Sequence, residues 1–295
     1  MSGSFSVNQH LAGIDFSSMP HSERISLLNQ ILNNRIHGIS FSPYMDDQAP
    51  GAEISEEQIE ARLNIIHTHT HWIRTFSCVE GHQHIPRIAK KYNLKTMVGV
   101  CLSDDSEHNE IELSNAIDIA RQGYVDILAV GNEVLLRGEL TEQALLDYIN
   151  RAKQAVPGID VSYVDAYYKF EQHPALVDAC DILLINCYPF WEKCSAEYAL
   201  LYMKDMYHRA VKAASGKKVI ISETGWPTQG DAYGEAVPSY ENAMQYFVNT
   251  YTWANQENIE IFYFSSFDEA WKTGDEGNVG AYWGLWDKDG NFKYS

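Results

Sequence analysis

Short apolar or β-branched runs recur along the chain, and stretches of helical character separate them. The runs lie at residues 37–42, 72–76, 96–101, 126–130, 159–164, 182–187, 218–222 and 259–265. Most of them lack the alternation of apolar and polar side chains that is typical of a strand with one solvated face. We therefore predict eight parallel strands that are buried on both faces and covered by helices.

The segments between the runs carry signals for helix starts. Ser55 and Gln58 have the spacing of a capping box, Thr141 and Ser239 can each open a later helix, and Pro174 suits a first helical turn. An open doubly wound sheet would more often have fewer strands and a glycine-rich phosphate turn after the first one. The regular alternation instead favours the α/β class, as a single (β/α)8 TIM barrel.

The chain shows no linker or low-complexity tract that would mark a boundary between two large domains. A helix-like stretch at 22–32 precedes the first predicted strand. We predict that residues 1–36 form an N-terminal extension whose short helix packs on the barrel, and that residues 37–295 form the catalytic barrel.

Composition narrows the possible partners. The 295 residues carry a formal net charge of −18, which argues against binding to nucleic acid or to an anionic membrane surface. No apolar run is long enough to span a membrane, and residues 1–16 lack the basic and apolar regions of a signal peptide. We expect a soluble protein whose export signal was removed or never present.

Metal and disulfide chemistry find little support in the sequence. The five cysteines are odd in number and lack zinc-site spacing, so we interpret them as structural thiols. His67, His69 and His71 resemble a His-x-His metal motif, but they precede a predicted strand and so belong to the opposite end of a barrel from the usual active site. We expect no metal and no cofactor.

Two glutamates stand out because each is the acidic residue that follows a buried run. Glu133 closes the segment DILAVGNE at 126–133, and Glu223 closes KVIISE at 218–223. Carboxylates at the C-terminal ends of barrel strands are placed for acid–base or nucleophilic chemistry, and glycoside cleavage uses two of them. We predict that they are the catalytic pair, although structural carboxylates would produce the same pattern.

Other polar and aromatic residues follow the same strand ends. Arg74 lies inside the second apolar run, at the end of the predicted strand, and needs a buried acid, for which either glutamate is suitable. Asn132 could bind a sugar hydroxyl or orient a carboxylate, and Tyr44 and Tyr188 could reach the sugar or a glutamate. The aromatic side chains predicted to bind sugar rings, each of which could equally fill the core, are Trp191, Trp226, Phe267 and Trp271.

Five segments together resemble glycoside hydrolase family 17. They are GISFSPY at 38–44, IRTF at 73–76, VGNE at 130–133, ISETGWP at 221–227 and FDEAWK at 267–272. The resemblance implies a (β/α)8 barrel that acts on β-1,3-glucan with retention of configuration, with Glu133 as acid/base and Glu223 as nucleophile. It also implies site roles for Glu269 and Lys272, with Lys272 near enough to Glu223 to help keep it ionised.

The segment at 280–286 and the loop at 46–54 resemble bacterial and some fungal members of that family, which implies a compact variant. We therefore predict a retaining glycosidase that works through a covalent glycosyl-enzyme, with hydrolysis or β-1,3-glucanosyl transfer as the outcome. We expect a monomer located outside the cell or in the cell wall, with a glucan oligo- or polysaccharide as its partner. The alternatives are an exo-β-1,3-glucosidase and a non-catalytic glucan-binding barrel.

Overall fold

The computed structural model describes residues 13–274 and 276–294, and a closed barrel of eight parallel strands lies at its centre. The strands are β1 Ile36–Ser40, β2 Thr70–Arg74, β3 Lys95–Val100, β4 Ile127–Asn132, β5 Asp160–Ala166, β6 Leu183–Asn186, β7 Val219–Thr224 and β8 Ile261–Tyr263. Neighbours in sequence pair in order, and β8 pairs with β1 to close the barrel. The predicted (β/α)8 fold is confirmed.

Helices connect the strands and form the outer layer. They are α1 His21–Asn33, α2 Glu56–Ile66, α3 Ile85–Lys91, α4 Ser106–Arg121, α5 Glu142–Ala155, α6 Tyr167–Gln172, α7 Pro174–Ala179, α8 Ala199–Ala213 and α9 Tyr240–Glu257. Ser55, Thr141 and Ser239 each accept a hydrogen bond from a backbone N–H three residues on, as their spacing predicts. None of the helices in the described ranges is long and apolar enough to cross a membrane.

Helix α1 precedes the barrel and packs against α9, with Leu28 and Leu32 buried. The segment before it is fixed by Asn249 of α9, whose amide oxygen accepts from Ile14 N over 2.7 Å. Residues 1–12 of the predicted extension lie outside the described residues, and the division of the chain at residue 36 stays a prediction.

The barrel interior explains why the strands are apolar on both faces. Its packed side chains are Met97, Ile127, Ala129, Val164, Ile182, Leu184, Ile220 and Phe262. Gly38 makes room for one of them, because a Cβ at this position would lie 2.5 Å from the Phe262 ring. Larger residues on the outward faces of the strands pack under the helices, so both faces of each strand are buried.

The N-terminal end of the barrel carries an ionic cluster around Glu260. Its carboxylate lies 3.3 Å from His37 Nε2 and 2.7 Å from Lys218 Nζ. The hydrogen bond from His37, and then that from Lys218, lower the pKa of Glu260 to about 2 against the opposing effect of burial. His67, His69 and His71 precede or begin β2 and so lie towards this end, away from Arg74.

We predict that Glu260→Gln lowers the free energy of unfolding by about 1 kcal/mol at pH 6, a value reduced for partial solvent exposure. Because the pKa is depressed on folding, the contribution is full above the ordinary value of 4.5 and is lost as the pH falls through about 2. Urea unfolding at pH 6 and pH 4 would measure the difference in the free energy of unfolding between the wild type and Glu260→Gln, and we expect this gap to be smaller at pH 4. Glu257→Gln, a change at an exposed carboxylate, is the control, and a gap that widens in acid would contradict the assignment.

Candidate active site

The C-terminal ends of four strands bring polar side chains to one rim of the barrel. Arg74 ends β2, Asn132 ends β4, Asn186 ends β6, and Glu223 lies at the end of β7. Glu133 directly follows β4. The parallel topology therefore gathers residues that are far apart in sequence into one hydrogen-bonded group.

Glu223 is held by a donor on each carboxylate oxygen. Arg74 Nη1 contacts Oε1, and the Tyr188 hydroxyl donates to Oε2 over 2.7 Å. Arg74 is 1% exposed and Glu223 is 6% exposed, so the ion pair is buried. Such a pair fixes the position of the carboxylate and stabilises its negative charge.

Glu133 lies in a turn of unusual backbone conformation. The register between β4 and β5 shifts between Ala129 and Asn132, and the φ angles are +86° at Gly131 and +54° at Glu133. A non-glycine residue in this region costs on the order of 1 kcal/mol. Bulges of this kind redirect side chains next to active sites, and here the turn directs the Glu133 carboxyl group towards the end of β6.

Asn186 connects Glu133 to Ser222, the residue before Glu223, and it was not predicted from the sequence. The Ser222 hydroxyl donates to Asn186 Oδ1 over 2.9 Å, which leaves the amide nitrogen to donate to Glu133 Oε1 over 2.9 Å. Asn132 Oδ1 accepts from Arg74 Nη2 over 2.9 Å. Asn186 and Ser222 are polar residues near the ends of apolar runs, and this signal could have identified them.

The surroundings of the two glutamates differ in charge. Burial, and then the nearby charge of Glu223, raise the pKa of Glu133 to about 7, while the hydrogen bond from Asn186 opposes the rise. Glu223 has a guanidinium group on its carboxylate, whereas Glu133 has a neutral amide. Near neutral pH a large fraction of Glu133 is therefore protonated, beside a second carboxyl group that is bound by a guanidinium group.

Glu269 and Lys272 follow β8 and face the end of β1. The Ser42 hydroxyl donates to Glu269 Oε1 over 2.8 Å, and burial raises the pKa of this carboxyl group despite the charge of Lys272. Lys272 Nζ lies 2.9 Å from Glu276, and the acids around it raise its pKa although burial alone would lower it. Arg74 is thus the cation in direct contact with Glu223, and the charge of Glu223 is a smaller contribution to the raised pKa of Lys272.

A cavity of about 320 Å³ opens between the loops that follow β1, β2 and β8. Its lining includes Tyr44, Phe76, Phe264, Glu269, Trp271 and Lys272. Phe76 and Phe264 join it to the glutamates, because the Arg74 guanidinium lies 4.4 Å from the Phe76 ring centre and Phe264 packs on Tyr188. The cavity is therefore adjacent to the glutamate pair and does not enclose it.

Two predicted sugar platforms are corrected by their burial. Trp226 is 1% exposed and donates from its indole to Val237 O, and Phe267 is 0% exposed beneath the Arg62 guanidinium. Neither ring has a free face, so both are packing residues in this structure. Trp191 is half-buried, and its ring packs on that of the exposed Tyr233 at a centroid distance of 5.6 Å.

Comparisons with known proteins agree with one another. A family model described as a BtgE/BtgC glycoside hydrolase domain matches residues 38–284. A glucan 1,3-beta-glucosidase of Candida albicans, BGL2, is 30% identical over 263 residues, which cover 80% of this chain and 85% of the relative. The cell surface mannoprotein MP65 of the same organism is 26% identical, over 84% of this chain and 66% of its own.

Solved structures give the same result. The glycoside hydrolase family 17 beta-1,3-glucanosyltransferase of Rhizomucor miehei matches with a TM-score of 0.78 at 29% identity, over 88% of this chain and 96% of that chain. An active-site mutant of the Rhizomucor miehei beta-1,3-glucanosyltransferase in complex with laminaritriose gives a TM-score of 0.79 at the same identity and coverage.

We predict that Asn186→Ala raises the pKa of Glu133 above about 7, because it removes the donor that favours the charged carboxylate. A rise of roughly half a unit is the expected scale for one hydrogen bond. Titration of ¹³C-labelled glutamate carboxyl groups by NMR would measure it, with Glu133→Gln used to assign the signal. Asn115→Ala, which removes an amide bonded to Cys78 O, is the control, and an unchanged or lower pKa in Asn186→Ala would contradict the assignment.

Proposed function

This chain belongs to glycoside hydrolase family 17, as a BtgE/BtgC glycoside hydrolase domain, and from that membership we propose that it cleaves β-1,3-glucan by double displacement. The observation that carries the proposal is the contrast between Glu133 and Glu223. The raised pKa of Glu133 favours a proton on it near neutral pH, and Glu223 is bound by the guanidinium group of Arg74. Retaining glycosidases need one group of each kind.

In the first step Glu223 attacks the anomeric carbon while Glu133 gives its proton to the departing glycosidic oxygen. The bond between this carbon and the oxygen breaks, and a glycosyl ester forms on Glu223. In the second step Glu133 takes a proton from water or from a sugar hydroxyl, whose oxygen displaces Glu223 from the same carbon. Water gives hydrolysis, and a sugar hydroxyl gives transfer to a second glucan.

We assign the cavity beside Glu133 and Glu223 to the sugar rings on the donor side of the cleaved bond. Tyr44 and Trp271, whose ring centroids are 5.8 Å apart, offer aromatic surface there. Glu269 and Lys272 offer an acceptor and a donor for sugar hydroxyls. We propose that Asn132 and Tyr188, which contact the catalytic network directly, help to orient the sugar at the cleavage point.

Trp191 supports a site for the acceptor. Its ring contacts Trp283, which in turn packs on Tyr188, so an aromatic series leads away from Glu223 across the segments that follow β6 and β8. This arrangement, together with the glucanosyltransferase activity of the Rhizomucor miehei relative, favours glucanosyl transfer alongside hydrolysis. The cell-surface location of the mannoprotein MP65 favours an extracellular or cell-wall site of action.

We predict that Glu223→Gly loses nearly all turnover and that azide restores cleavage of an aryl β-laminaribioside with inversion, giving the α-glycosyl azide. Azide would enter the space left by the nucleophile and attack from that face. The azide product would be identified by its anomeric proton coupling in NMR.

Glu133→Gly is the matched variant for that experiment. Azide should there trap the covalent intermediate and give the β-glycosyl azide, with retained configuration. A retained product from Glu223→Gly would exclude this residue as the nucleophile. Wild-type protein that binds laminarin and leaves it intact at every pH tested would instead favour a glucan-binding barrel.

We predict that Trp191→Ala lowers the ratio of transfer to hydrolysis several-fold, because a weakly held acceptor competes poorly with water. A time course on a reduced laminari-oligosaccharide would separate longer products, shorter fragments and glucose, and release of glucose alone would favour the exo-glucosidase alternative. Tyr202→Ala, a change at an exposed aromatic residue on α8, is the control. If the wild type, Trp191→Ala and Tyr202→Ala had the same ratio of transfer to hydrolysis, Trp191 would not be part of the acceptor site.

A further inference from the structure

Tyr163 and Asp165 of β5 form a buried polar pair behind the turn that carries Glu133. The Tyr163 hydroxyl donates to Asp165 Oδ2 and accepts from Leu135 N over 3.0 Å. The other carboxylate oxygen, Asp165 Oδ1, accepts from Ala166 N over 2.7 Å. Both side chains are 0% exposed, so this bonding is shielded from water.

The same strand contacts the Glu133 turn at three successive points. A Cβ at Gly131 would lie 3.4 Å from two carbons of the Tyr163 ring, so the ring packs against the start of the turn. Glu133 N donates to Val164 O over 2.8 Å. The third contact is the hydrogen bond from Leu135 N to the Tyr163 hydroxyl. Residues of β5 therefore contact the turn before Glu133, at Glu133 and after it.

This turn needs such support because Glu133 and Gly131 both have positive φ. A strained conformation at a non-glycine residue persists only where the surroundings determine it. Loss of the Tyr163 hydroxyl would leave Leu135 N without its acceptor and remove the contact that closes the turn.

We propose that Tyr163 and Asp165 are positioning residues for Glu133: Asp165 orients the phenol, and the phenol fixes the turn that aims the carboxyl group. The inference rests on the proposed function, because it assumes that Glu133 is the acid/base. Neither residue contacts the reacting atoms, so both act through Glu133.

The pair also has an electrostatic part. Asp165 directly follows Val164, whose carbonyl oxygen accepts from Glu133 N, so its buried carboxyl group lies next to the turn that carries Glu133. Glu223 approaches from β7 and Asp165 from β5, and both favour the protonated form, whereas Arg137 of the following turn favours the charged form. The amide of Asn186 faces it from β6.

Within residues 13–274 and 276–294, no Lys, Arg or His nitrogen lies within 4.0 Å of the Asp165 carboxylate. Burial raises the pKa of Asp165, and the hydrogen bonds from Tyr163 and Ala166 N and the more distant charge of Lys169 oppose that rise.

Tyr163→Phe tests the mechanical part, because it removes a single oxygen and keeps the ring that packs on Gly131. We expect kcat/KM on laminari-oligosaccharides to fall about tenfold, through kcat and with little change in KM, since small misplacement of a catalytic group is costly. The loss in kcat/KM should shrink for a dinitrophenyl β-laminaribioside, because kcat/KM reports the first step and this leaving group needs no proton there. A purely structural defect would reduce kcat/KM on both substrates equally.

The matched control is Tyr251→Phe, which removes a buried hydroxyl that donates to Gly38 O on β1. We expect its kinetics to equal those of the wild type. Equal kinetics in Tyr163→Phe and Tyr251→Phe, or an equal loss on both substrates in Tyr163→Phe, would overturn the mechanical part.

Asp165→Asn tests the electrostatic part and is a second variant if Tyr163→Phe folds poorly. Removing the charge should move the alkaline limb of the kcat/KM profile to lower pH by roughly half a unit. An unmoved limb, or one that moves to higher pH, would overturn this part. Wild-type protein that does not cleave the substrates would count against the proposed function itself, so the two failures can be told apart.

Discussion

The buried ion pair between Arg74 and Glu223 is the interaction on which the rest of the site depends. A carboxylate that is 6% exposed is stable as an anion only when donors replace the lost water, and Arg74 and Tyr188 provide one for each oxygen. Arg74 also reaches Asn132, so the cation links the ends of β2, β4 and β7. The Arg74 cation binds Glu223 and does not bind Glu133. Glu133 accepts a hydrogen bond from the Asn186 amide, and the charge of Glu223 raises its pKa, so the two glutamates differ in chemistry.

The barrel provides this contrast through irregularities at the strand ends. Register shifts occur at the rim between β4 and β5, between β6 and β7, and between β7 and β8. They fall beside Asn132, Asn186 and Glu223, which are three members of the network. Regular strands pack the interior, and the bulged ends redirect side chains into the site, so fold stability and site geometry come from different parts of the same strands.

The sequence alone predicts the barrel well because its signal is local. Each buried strand appears as an apolar run, and each run overlaps an observed strand within a few residues. The two glutamates were found for the same reason, since each follows such a run. Asn186, Ser222, Tyr163 and Asp165 were missed, because their importance comes from contacts between strands that no single run displays. Trp226 and Phe267 were predicted as sugar platforms from their positions after strands, and such positions do not tell an exposed aromatic ring from a buried one.

The central claim is that Glu223 is the nucleophile and Glu133 is not. Incubation with a 2-deoxy-2-fluoro-β-laminaribiosyl fluoride, followed by mass spectrometry of the digested protein, tests it most directly. The fluorine at C2 slows both steps by destabilising their oxocarbenium-like transition states, whereas the fluoride leaving group at C1 keeps formation of the ester fast, so the ester accumulates. The account predicts one fluorinated disaccharide per chain, attached to Glu223, in the wild type, and no label after Glu223→Gln. A label on Glu133, or rapid turnover of the reagent with no covalent adduct at any time point, would contradict it.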